Sequence, residues 1–108
     1  MHEIDAELSH VWMVRTFLKH SEEAEEDHEL REVHRGLYDY MLALGGSLKD
    51  ADSERYLRQA KKKFAKLRRT TETFLATQPE ISEHTNFQMA ATSLKLSVDR
   101  IGRLLDQA

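Results

Sequence analysis

No cysteine occurs in the 108 residues, so disulfides, thiolate metal sites and cysteine nucleophiles are all excluded, and the chain suits a reducing compartment. One proline and four glycines leave few enforced breaks in the backbone, and aromatic residues make up only 7%. No apolar run approaches the roughly 18 residues a membrane span needs, and the mean hydropathy is −0.64. No membrane association is expected. The first ten residues hold Glu3, Asp5 and Glu7 but no lysine or arginine, the reverse of a secretory leader or a transit peptide. The expectation is a soluble, cytoplasmic protein.

What the chain does have is a balance of 40% hydrophobic and 32% charged residues, which supports a packed core. At this length it is read as a single helical-bundle domain over residues 1–108. The net charge of −3 is unevenly spread. Residues 1–48 carry eleven acids and four bases, residues 49–78 nine bases and four acids, and residues 79–108 four acids and three bases.

Apolar residues recur at helical spacing in four places. Ile4, Leu8, Val11 and Leu18 form one stripe; Leu30, Val33, Leu37, Met41 and Leu44 a second; Leu57, Ala60, Phe64, Leu67, Thr71 and Phe74 a third; Phe87, Ala91, Leu94, Val98, Ile101 and Leu105 a fourth. The punctuation fits four helices at roughly 3–20, 27–44, 52–76 and 80–106. Gly45 and Gly46 suit a C-terminal cap, and Thr77 and Glu80 around Pro79 read as a capping box. The weakest boundary is the first. No glycine or proline lies between residues 4 and 35, and one long helix there would suit a domain-swapped dimer. From Leu18 to Leu30, however, only Ala24 is apolar, so a solvated turn near Ser21–Glu26 with Asp27 as the next N-cap is preferred. Short connections then predict an all-α, antiparallel up-down-up-down four-helix bundle.

Several residues break the simplest pattern. Glu7 and His10 form Glu-x-x-His on or beside the buried face of the first helix, and His34 falls between Leu30 and Met41 on the second. Carboxylate and imidazole are ligands for a transition metal ion, so Glu7, His10 and His34 are the candidate metal residues. A di-iron bundle needs further carboxylates at mid-stripe, and the third and fourth helices supply none; the reading without a cofactor leads. His20, His28 and His84 gather at one acidic pole of the expected bundle as a second cluster. Arg15 falls inside the apolar stripe, where an unpaired charge is costly, and Glu29 is its expected partner in a buried ion pair.

Arg15 and His20 also stand at Arg-x-x-x-x-His spacing, which resembles the short catalytic motif of the HEPN family of helical ribonucleases and nucleotide-associated domains. The likeness covers six residues, and in that family the motif lies on a helix late in the domain, whereas here it lies on the first. The third helix concentrates Arg55, Arg58, Lys61, Lys62, Lys63, Lys66, Arg68 and Arg69, a face that phosphates attract. Aromatic interleaving is absent from its exposed side, so nucleic acid is the weaker reading. Val11, Trp12, Met13, Val14, Phe17 and Leu18 cover nearly the whole circumference of the first helix, more than a bundle helix needs. Trp12, Met13 and Phe17 are therefore the candidate interface. The leading expectation is a non-enzymatic bundle acting through protein association as a homodimer or with a protein partner.

Overall fold

Most of the helices start where a short polar side chain can satisfy their first amides. The computed structural model describes all residues from Met1 to Ala108 and contains five helices and no strand. They are α1 (His2–Lys19), α2 (Glu22–Glu26), α3 (His28–Lys49), α4 (Ser53–Ile81) and α5 (Thr85–Asp106). Ser21 Oγ accepts from the Ala24 amide to start α2, Asp27 from Leu30 to start α3, and Asp52 from Arg55 to start α4. His84 Nδ1 accepts from Asn86 to start α5. Only α1 has no side-chain cap. No helix is long and apolar enough to cross a membrane.

The break after the first helix lies where the stripe placed it, and Asp27 is the cap of the next helix. The turn itself is ordered as the single helical turn α2, so α1 and α3 are not continuous. Two other boundaries differ from expectation. Helix α3 runs through Gly45 and Gly46, neither of which adopts a positive φ. The reason lies further on: Ser47 is buried and accepts from Arg55 Nε at 2.9 Å, and Leu48 packs against the core. The chain reverses instead at Ala51, with φ 53°. Helix α4 continues past Ala76 because Thr77 and Gln78 face inward. Thr77 is not an N-cap; its hydroxyl donates across to Glu29 at 2.9 Å. Pro79 sits in the last turn of α4, and α5 begins at Thr85 rather than near 80.

Each of the four long helices packs against two others: α1 on α3 and α5, and α4 on α3 and α5. Twenty-two buried side chains form one core cluster, including Leu8, Leu18, Leu30, Leu37, Phe74 and Leu94. Burial of each large member contributes about 1.5–3 kcal/mol. The contacts between helices have a definite register. Arg15 of α1 meets Tyr38 of α3, while Leu8 shares a groove with Leu44. Between α3 and α4, Glu29 accepts from Thr77, and Tyr40 donates its hydroxyl to the Ala60 carbonyl at 3.0 Å. Phe17 meets Phe87 edge-on between α1 and α5, where Ser97 also donates to Glu7.

Gly36 sets the backbone of α3 directly against Thr70 of α4. A Cβ there would lie 2.6 Å from Thr70 Oγ1 and 2.9 Å from its Cγ2, atoms held on a stiff β-branched side chain. At Gly45 a Cβ would meet nothing. The two positions therefore respond oppositely to alanine. Gly36→Ala should destabilise by about 1–3 kcal/mol through overpacking, and Gly45→Ala should stabilise by about 0.5–1 kcal/mol through lost unfolded-state entropy. Urea denaturation at unchanged m-value measures both; effects of the same sign would contradict the helix packing.

Candidate functional site

The apolar circumference of α1 divides in two. Ile4, Leu8, Val11, Val14 and Leu18 enter the core. Trp12 is 47% exposed and Met13 64% exposed. Phe17 is different from these two. It is half-buried, with its ring edge-on to Phe87 at 4.9 Å between centroids, so part of it packs in the α1–α5 contact. Helix α3 adds residues that the sequence reading missed. Tyr38 and Leu42 stand one turn apart outside the buried stripe, and Leu42 is 64% exposed. Their i, i+4 spacing was the available signal. Between the two helices runs a groove of about 290 Å³ lined by Asp5, Leu8, Trp12, Met41, Leu44 and Leu48 among others.

Arg15 anchors this face. It is only 8% exposed, and its guanidinium carbon lies 4.4 Å from the Trp12 ring centroid and 4.8 Å from that of Tyr38. A cation over two electron-rich ring faces is attracted electrostatically, and both rings are thereby held in place. The expected ion pair with Glu29 does not form. The chain's salt bridges are Arg35–Glu32, Arg55–Asp50 and Lys95–Asp99, and Glu29 is engaged by Thr77. The physical cause is register. The extra turn α2 docks α3 so that Tyr38, not Glu29, stands level with Arg15.

Close to Arg15, His34 Nε2 and Arg15 Nε are both buried without a hydrogen-bond partner. Burial, then the positive charges of Arg15 and Lys19, hold the His34 pKa below its ordinary value of 6.5. His34 also lines a small pocket of about 150 Å³ with Lys19, Ala24, Glu25 and Arg31.

The candidate metal residues are not brought together. Glu7 accepts from Ser97 on α5, His10 is exposed, and His34 faces the α1 cations. No group of three or more histidine or acidic side chains converges as a metal site. Of the polar cluster, His20 and His28 are exposed, and His84 uses Nδ1 as the α5 cap. The Arg-x-x-x-x-His pair is likewise divided, with Arg15 clamped between rings and His20 exposed at the end of α1. On α4, Arg58, Lys61, Lys62, Lys63, Lys66, Arg68 and Arg69 are all exposed, and none forms a salt bridge with α3. No family model, curated protein or solved structure matches the chain.

Two measurements check this geometry. A double-mutant cycle between Arg15 and Glu29 should give a coupling near zero, within about 0.5 kcal/mol, whereas Arg15 with Trp12 should couple by about 0.5–2 kcal/mol. The reverse ranking would restore the ion pair. For His34 the sign follows from its lowered folded pKa. The unfolded chain binds the proton first, so the stability this residue provides is fully present above about 6.5 and is lost as pH falls through the lowered value. His34→Gln should flatten the acid limb of a stability–pH profile between those two points, and an unchanged limb would place His34 in water.

Proposed function

We propose that this chain is a non-enzymatic helical bundle that acts by association, as a homodimer joined through the surface of Trp12, Met13, Tyr38 and Leu42. The observation that carries this reading is the exposed aromatic and aliphatic cluster beside the α1–α3 groove. A half-exposed Trp12 at the edge of a groove on the same face supports a two-fold contact, which needs a self-complementary patch. A two-fold axis also buries each side chain twice. At about 1.5–3 kcal/mol per large apolar side chain fully buried, the gain is of the same order as the roughly 4–15 kcal/mol that association costs. The clamp of Arg15 on Trp12 and Tyr38 lowers that cost by fixing the rings beforehand.

The scaffold belongs to the same proposal: α1, α3, α4 and α5 run up-down-up-down as an antiparallel four-helix bundle, with α2 as a turn between the first pair. What supports it is the register of contacts. As residue numbers rise on one helix they fall on its neighbour, from Leu8 with Leu44 to Arg15 with Tyr38, and from Glu7 with Ser97 to Phe17 with Phe87.

Sedimentation equilibrium at micromolar concentration tests the association. The wild-type chain should be dimeric, and Trp12→Glu with Leu42→Glu should give a monomer of undiminished helicity. Phe17→Glu should instead lose cooperative folding, because that ring packs on Phe87. A wild-type chain that stays monomeric at high concentration contradicts the homodimer.

A further inference from the structure

The junction of α1, α2 and α3 holds an unusual set of charges. Lys19 from α1, Arg31 and His34 from α3, and Glu25 and Ala24 from α2 line the small pocket of about 150 Å³. Neither Lys19 nor Arg31 is in a salt bridge. Arg31 reaches towards Glu25 but donates to its backbone carbonyl at 2.7 Å, leaving its carboxylate out of the contact. Arg15 is outside the lining, but its charge acts on His34 at the pocket wall. The imidazole of His34 offers a buried nitrogen with no partner in the chain.

Cations that share one pocket without a carboxylate partner repel one another, and an anion held between Lys19 and Arg31 relieves that repulsion. We propose that the pocket between Lys19, Arg31 and His34 binds an oxyanion, the phosphate or carboxylate group of a small ligand. Lysine and arginine supply charge-assisted donors from two helices, and the His34 ring forms part of the pocket wall. The volume sets the size class. At about 150 Å³ the pocket is well below the roughly 300–1,000 Å³ of sites that enclose drug-sized molecules, so it takes the anionic group itself and leaves the rest of a larger ligand outside. Glu25 is the one acid in the lining and opposes binding.

This site is independent of the dimer proposal, since neither Trp12 nor Leu42 lines it. The test uses the whole chain at fixed neutral pH and constant ionic strength, titrated separately with sodium sulfate, for a phosphate-type group, and sodium acetate, for a carboxylate. The carbon-bound ring protons of His34 report binding by nuclear magnetic resonance. At least one of the two anions should give a saturable shift that sodium chloride does not reproduce. Lys19→Met and Arg31→Met each alter an exposed side chain and should weaken that binding by about tenfold or more, the loss of one charge-assisted contact. Glu25→Gln should strengthen it, which loss of structure cannot imitate. Shifts that chloride reproduces, an absence of saturation with both anions, or Lys19→Met and Arg31→Met variants that bind as wild type would overturn the proposal.

Discussion

The rest of the structure depends on how α1 disposes of an apolar surface wider than its neighbours can cover. An amphipathic helix in a bundle buries one stripe and wets the other, and α4 follows that rule, while α3 and α5 each leave two large apolar residues exposed, Tyr38 and Leu42 on α3 and Met89 and Leu96 on α5. Helix α1 departs from it too. Its inner residues, Ile4 to Leu18, complete the core, while Trp12 and Met13 remain outside it. The surplus fixes the position of Arg15 as well. A guanidinium on this helix has aromatic faces within reach on both sides, Trp12 from its own helix and Tyr38 from α3, and settles between them.

The stripes of α3, α4 and α5 were legible because each is long, strongly periodic and buried along nearly its whole length, and that of α1 was legible despite apolar residues round most of the helix. Leu30, Val33, Leu37 and Leu44 on α3, and Phe87 to Leu105 on α5, are core residues as their spacing indicates. Helix ends were less legible, since local signals compete with packing that only the folded chain supplies. Gly45 and Gly46 carry the signature of a cap, yet the burial of Ser47 and the packing of Leu48 extend α3 past them. Thr77 and Pro79 resemble a start, yet Thr77 is needed across the α3–α4 contact. Propensity is a weak influence beside such contacts.

The surface was half legible for a related reason. Trp12 and Met13 stand out from the circumference of one helix, but Tyr38 and Leu42 join them only once the register between α1 and α3 is known. That register turns on α2, a single turn of five residues too polar to show a stripe. The same turn separates Arg15 from Glu29 and closes the pocket where Lys19, Arg31 and His34 meet. Phe17 could not be told from its neighbours by sequence, because an apolar residue at the edge of a stripe serves a core or an interface equally well.

The proposed homodimer requires that the Trp12 face meet its own copy. Isotope-filtered nuclear Overhauser spectroscopy on a mixture of labelled and unlabelled chains tests it most directly, because only contacts between copies survive the filter. The account predicts intermolecular contacts from the Trp12 indole and the Met13 and Leu42 methyl groups to the groove residues Leu8, Met41 and Leu48. A dimer whose intermolecular contacts fall instead on the exposed Met89 and Leu96 of α5, or a spectrum with none at all, would contradict it.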